Sequence, residues 1–217
     1  MSAALTNLRL RGYWRSSSSW RVRIMLGLKG LAWEHVGVHL LEGDHRSDAH
    51  RALNPLEQVP VLEWEESGVR HVLTQSLAIA SYLDARVPEP PLLPAAALDR
   101  ARVWELAEIV NSGIQPHQNS RTLQRIEALG GDRGAWAREA VAFGLQALEA
   151  RAASTAGRFL YGDAVGLADV CLVPQLFGAR RFGVDVDALP TLTRVEAACL
   201  ELPAFQEAVP EKQPDAF

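Results

Sequence analysis

Cysteine is scarce: Cys171 and Cys199 are the only two among 217 residues. They share no CxxC spacing and both fall in apolar stretches of helical pattern. A dithiol redox centre lacks the motif it needs, and two reduced core thiols are expected. Positive charge is not in surplus either, since the formal net charge is −4. A protein that grips phosphate backbones shows a basic excess or a basic stripe, so no nucleic-acid partner is expected. No apolar run reaches the ~18–20 residues that span a bilayer. The stretch Met1–Asn7 has neither the charged nor the apolar region of a signal peptide, so the expected compartment is the cytoplasm, with no membrane partner. His45 and His50 stand five residues apart, on different faces of any helix, with no cysteine or third histidine nearby, so no metal site is expected. There is no internal repeat.

About half of the residues are apolar (48%) and 22% are charged, an ordinary globular balance. The length suits one large domain or two small ones. Leu8 and Leu10 alternate with Arg9 and Arg11 as in a half-exposed strand. Ser16 to Ser19 can cap a helix that follows through Trp20, with Val22, Met25 and Leu26 inward and Gly30 stopping it in a left-handed conformation. Val36, Val38 and Leu40 repeat the strand signal. A short helix is expected over 47–53, ended by Asn54-Pro55. Val59–Trp64 and Val69–Leu73 read as strands joined by a hairpin at Glu65–Gly68, and Ser76 as the cap of a helix through Leu83. The order β-α-β-α-β-β-α fills residues 1–87.

Pro88-Glu-Pro-Pro91 cannot continue a helix and marks a semi-rigid linker over 88–94. Residues 95–217 are helical in period. One helix carries Leu98, Arg102, Leu106 and Ile109. A second runs from Trp136 to Arg151 with Ala140, Phe143, Leu145, Ala147 and Leu148 as its apolar positions. A third, Leu167–Phe177, is nearly all apolar and so central. Trp20, Trp104 and Trp136 are expected to pack in the core or between domains. The fold class is an α/β domain followed by an all-α domain.

The serine run admits a plain capping reading and a chemical one. A helix N-terminus carries partial positive charge and unpaired N–H groups, both of which favour an anion. Gln75-Ser76 at the start of the later helix admits the same two readings. Three sets of motifs decide between them by likeness. Arg15-Ser-Ser-Ser-Ser-Trp-Arg-Val-Arg-Ile24 resembles the signature that opens the first helix of zeta-class glutathione transferases. Ala52-Leu-Asn-Pro-Leu-Glu-Gln-Val-Pro60 with Gln75-Ser76 resembles the glutathione-binding half of the wider family. Ile114-Gln-Pro-His-Gln-Asn119, Leu172-Val-Pro-Gln175 and Ala179–Asp185 resemble the zeta class in particular. The likeness runs from about residue 8 to Pro214.

The resemblance implies a thioredoxin-like first domain with a mixed sheet, glutathione as cofactor, a homodimer, and isomerisation of a cis-enone diacid. Maleylacetoacetate is the family's usual substrate, in aromatic amino-acid catabolism. It implies Ser16 as the residue that contacts the thiol, with Ser17 and Ser18 as further catalytic candidates. Cofactor contacts are implied for Ser19, Trp20, Arg21, His45, Val59, Pro60 (in a cis peptide bond), Gln75, Ser76, Gln115, Asn119, Ser120 and Arg121. Arg181 is implied to hold the diacid, because an arginine fork matches a carboxylate, and Arg15 is a second candidate by its position beside the serine run. Arg180 reads as a surface residue at a helix C-terminus. There are departures from the family pattern. Ser18 stands where a cysteine is usual, and Gly166-Leu-Ala-Asp169 replaces a Ser/Thr-x-x-Asp capping box, leaving Asp169 to accept the cap residue's N–H. Maleylpyruvate isomerisation, conjugation or dehalogenation of α-halo acids, and a non-catalytic binding module are the competing readings.

Overall fold

The computed structural model describes residues 5–216. They divide into two compact units: the chain up to Pro91 together with the segment from Leu202 onward, and Leu92–Glu201. Among the described residues no helix is long and apolar enough to cross a membrane.

The first unit follows the expected order. Its strands are β1 (Thr6–Gly12), β2 (Glu34–Gly37), β3 (Val61–Glu66) and β4 (Val69–Thr74), and its helices include α1 (Ser17–Leu28), α2 (Asp48–Leu53) and α3 (Ser76–Arg86). The sheet order is β2-β1-β3-β4. β1 and β2 are parallel, which requires the crossover that α1 supplies, while β3 lies antiparallel to both β1 and β4. The sheet is therefore mixed. β3 runs two residues further than the sequence pattern predicts, because Glu65 and Glu66 pair with Arg70 and Val69. The hairpin is the two-residue turn Ser67-Gly68, both at positive φ (52° and 76°), as a turn matched to strand twist requires. β2 is shorter than predicted. It ends at Gly37, after which the Val38 N–H still reaches the Gly12 carbonyl at 2.7 Å before the chain turns away.

Val22, Met25 and Leu26 of α1 are fully buried, as expected, but so is the whole run from Ser19 to Leu26, Arg21 and Arg23 included. The physical reason lies at the other end of the chain. The helix α10 (Pro203–Glu207), whose Phe205 is fully buried, packs on α1. The predicted helical domain 95–217 thus loses its last segment to the first unit. Lys29, just past α1, ties the unit together by donating to Asp84 Oδ1 (2.8 Å) and to the Pro90 carbonyl (2.6 Å).

The second unit holds α4 (Ala97–Asn111), α5 (Gln115–Gln118), α6 (Ser120–Ala128), α7 (Arg133–Ala152), α8 (Leu167–Arg181) and α9 (Pro190–Leu200). α8 is central, with every residue from Leu167 to Leu176 buried. Its start is held by Asp169, whose Oδ2 accepts from the Gly166 N–H and Oδ1 from the Leu160 N–H, both at 2.8 Å. The half of the capping box that Asp169 supplies is intact; the half that a glycine cannot supply is missing. Burial drives the Asp169 carboxyl up to about 6 despite those two bonds. On α7 the buried stripe is Ala137, Val141, Gly144, Leu145, Leu148 and Ala152. Phe143, expected among the apolar positions, is 76% exposed, since it falls on the opposite side of that stripe. Trp136 is also more exposed than a core residue, with its indole N–H donating to the His117 carbonyl at 3.2 Å. Cys171 and Cys199 are buried and joined in no disulfide, as predicted.

Candidate active site

Ser16 ends the loop that leaves β1 and is the N-cap of α1. Its backbone is extended (φ −71°, ψ 118°) and its Oγ accepts from the Ser19 N–H at 3.2 Å. The loop is closed behind it, because the Ser16 N–H donates to the Tyr13 carbonyl at 3.0 Å. Capping and anion binding, which the sequence presents as alternatives, are compatible here. The cap engages a lone pair of Oγ, while the hydroxyl hydrogen is a separate donor. An anion beside Ser16 would also lie at the positive end of a twelve-residue helix.

A groove beside it is lined by Ser18, Asn54, Gln58, Val59, Pro60, Gln75 and Ser76. The Val59–Pro60 peptide bond is cis, as the family likeness implied. The preceding carbonyl, Gln58, is fixed by Asn54 Nδ2 and by His50 Nε2, each 2.9 Å away. Those bonds hold the loop while the N–H and C=O of Val59 enter no hydrogen bond among the described residues. An extended peptide laid along the groove can therefore pair with them as an added strand would. Asn54 and Gln58 were not among the predicted site residues. The signal was present, since both belong to the same Ala52–Pro60 stretch that carries Val59 and Pro60.

The helix α3 begins at Ser76, its predicted cap, one residue earlier than expected. Gln75 is the N-cap, without a side-chain cap bond, and Ser76 is the first helical residue. Gln75 has φ 70°, a conformation that costs a non-glycine residue about 1–3 kcal/mol and is retained where the site requires it. The Ser76 hydroxyl, free of capping duty, accepts from Nη1 of Arg21 at 3.3 Å. Arg21 is fully buried, so a guanidinium lies directly behind the N-terminus of α3. Two sources of positive potential meet there, which suits a carboxylate.

The other predicted residues of this unit do not line the groove. Ser17 is the first residue of α1 and half-buried; Ser19 and Trp20 are buried on its inner side. The Arg15 guanidinium lies 5.0 Å from the centre of the Trp14 ring, a cation–π contact. His45 sits in the 3-10 turn Asp44–Arg46, half-buried, and burial first and Arg46 second lower its pKa, which favours the neutral imidazole. Among the described residues no three His, Cys, Asp or Glu side chains gather as a metal site would need.

In the second unit, Gln115 opens α5 and is half-buried. Asn119 caps α6, its Oδ1 accepting from the Arg121 N–H at 3.0 Å, and Ser120 and Arg121 are exposed. Arg181 is the exposed last residue of α8. Its neighbour Arg180 is occupied: its fork grips both oxygens of Glu196 at 2.7 and 2.5 Å.

Residues 15–86 match the N-terminal domain of glutathione S-transferases. Over 212 residues the chain is 41% identical to the maleylacetoacetate isomerase of Dictyostelium discoideum, with 95% of each chain covered. The maleylacetoacetate isomerase of Anaeromyxobacter dehalogenans 2CP-1 is 54% identical and superposes with a TM-score of 0.91, covering 99% of this chain and 100% of that one. Its crystal structure holds GSH in the active site. A second structure of that protein (53% identity, TM-score 0.91, 99% of both chains) holds dicarboxyethyl glutathione and citrate there. A maleylpyruvate isomerase described as a bacterial glutathione S-transferase of the zeta class is 43% identical, with a TM-score of 0.90 over 96% of this chain and 100% of that one.

Proposed function

The chain belongs to the zeta class of the glutathione transferases, and from that footing we propose that it is a glutathione-dependent isomerase converting maleylacetoacetate to fumarylacetoacetate. The observation that carries this reading is the likeness, 54% identical over essentially the whole chain, to a maleylacetoacetate isomerase that holds GSH in its active site.

The groove suits a γ-glutamyl tripeptide. The Ser76 N–H at the start of α3, with Arg21 behind it, suits the γ-glutamyl carboxylate, and the open N–H and C=O of Val59 suit the cysteinyl backbone. Glutathione, when bound, supplies the thiolate that adds to the conjugated cis double bond and is expelled after rotation about the resulting single bond. The residues of the chain keep that sulfur anionic. An unperturbed thiol has a pKa near ~8.5. Lowering it by ~2 units takes about 2.7 kcal/mol of preference for the anion. The Ser16 hydroxyl and the N-terminus of α1 together supply an interaction of that order, with Ser17 and Ser18 as nearby donors. Arg15 and Arg181 are assigned the carboxylates of the dianionic substrate. Gln115, Asn119, Ser120, Arg121 and His45 are assigned to cofactor binding. We assign the protein to aromatic amino-acid breakdown in the cytoplasm, as a homodimer; sedimentation as a monomer at micromolar concentration would count against the dimer.

Maleylpyruvate is the second substrate reading, favoured by the 43% identity to a maleylpyruvate isomerase. Retention on immobilised glutathione, followed by isomerisation assays on each diacid, tests both. Retention with no turnover of either substrate would replace the enzyme reading with that of a binding module.

A further inference from the structure

The C-terminal segment meets the loop that carries Arg15 and Ser16. Trp14 is the residue before Arg15, and its backbone belongs to neither β1 nor α1. Both of its polar backbone groups are nevertheless held. Its N–H donates to Oδ2 of Asp215 at 3.0 Å, and its carbonyl accepts from Nη2 of Arg23 at 2.9 Å. Arg23 is buried inside α1 and its Nε donates to the Ala208 carbonyl at 3.0 Å. The C-terminal segment thus reaches the loop directly through Asp215 and indirectly through Arg23.

Asp215 is presented by a tightly folded tail. Gln213, itself buried, donates from its amide to the carbonyls of Glu207 (3.0 Å) and Val209 (2.8 Å), and the Ala216 N–H closes a turn on the Gln213 carbonyl at 3.0 Å. The other Asp215 oxygen stands 2.8 Å from Nε2 of His35 on β2, close enough for an ion pair though the ring N–H is not aimed along that line.

Two glycines make room for this tail. Gly27 lies inside α1 and Gly37 ends β2, positions where glycine weakens an element. Neither has a positive φ to account for it. A Cβ on Gly27 would lie 3.1 Å from Cβ of Ala204, and one on Gly37 would lie 3.2 Å from Cβ of Asp215. Each is small because the tail passes there.

We infer that Asp215 is a positioning residue for the reaction: it fixes the Trp14 peptide and so holds Arg15 toward the diacid and Ser16 toward the thiol. This rests on the proposed function, in which those two residues serve. The readout is the pKa of glutathione bound to the protein, followed by the ultraviolet difference absorbance of the thiolate against pH, together with KM for the diacid. Asp215→Ala should raise that pKa by about one unit, a roughly ten-fold loss of thiolate below it, and should raise KM for the diacid. Asp215→Asn keeps an acceptor for the Trp14 N–H and should stay near the parent protein. Gly37→Val leaves Asp215 chemically intact but pushes it aside, and should act like Asp215→Ala. Should Asp215→Ala fail to fold, Gly37→Val and Asp215→Asn carry the comparison. A lowered melting temperature with an unmoved thiol pKa would make the tail a stabilising element only and overturn the inference, as would Asp215→Asn behaving like Asp215→Ala. Absence of any bound thiolate in the parent protein overturns the catalytic reading and this inference with it.

Discussion

Replacing Ser16 separates two jobs that one hydroxyl performs. Its Oγ accepts the Ser19 N–H at 3.2 Å, at the long end of the N–H···O range, so the cap sits low in its usual span, about 0.5–1 kcal/mol. The same hydroxyl is proposed to donate to the thiolate, an interaction whose loss costs a rate factor of about 10² or more, roughly 2.7 kcal/mol. Ser16→Ala removes both. It should lower the melting temperature by about 1–4 °C for a chain of this size and the isomerisation rate by about 10²-fold. Ser16→Gly keeps the helix capped to within a few tenths of a kcal/mol. It should therefore leave the melting temperature nearly unchanged while losing about the same 10²-fold in rate. Ser16→Thr keeps the hydroxyl and should retain most of both. The assay is kcat for isomerisation at saturating glutathione, read beside thermal unfolding, with glutathione KM expected to change less than kcat. A Ser16→Gly protein at the parental rate would refute the argument, since only the capping role would then matter, and attention would pass to Ser17.

Arg181→Lys should raise KM for the diacid while leaving turnover of an uncharged conjugation substrate unchanged, because lysine keeps the charge and loses the bidentate fork; equal losses on both substrates would place Arg181 in the fold instead. Asp169→Asn should destabilise the protein, since one amide oxygen cannot serve both the Leu160 and Gly166 N–H groups. The gap between the two proteins should narrow as pH rises. The folded-state pKa of Asp169, about 6, lies above its ordinary value near 3.8, so its contribution is fully present below the lower value and is lost as pH climbs through the upper one. Urea unfolding between pH 4 and 7 measures this, and a gap independent of pH would refute it. Arg21→Met should raise KM for glutathione more than KM for the diacid, because the support behind Ser76 is lost; steady-state kinetics with each substrate varied in turn would show whether the two constants separate.

Local pattern was enough for the order of elements in the first unit, for Ser47 and Asn54 at the ends of α2, and for the apolar run that makes α8 central, because caps, turns and periodicity act between residues a few positions apart. Ser16 as a helix cap was legible for the same reason, and family likeness singled out the Val59–Pro60 turn and Gln75-Ser76. Tertiary structure decided what depends on residues far apart in the chain. That Ser76 receives Arg21 and leaves the capping position to Gln75 follows from α1 and α3 lying side by side. That Phe143 is exposed follows from which side of α7 meets its neighbours. Above all, the helical pattern of the last sixteen residues is silent about which unit they join. Burial of Phe205 and Arg23, the close approaches at Gly27 and Gly37, and the reach of Asp215 to the Trp14 N–H settle it, because a contact across two hundred residues leaves no period in the sequence that makes it.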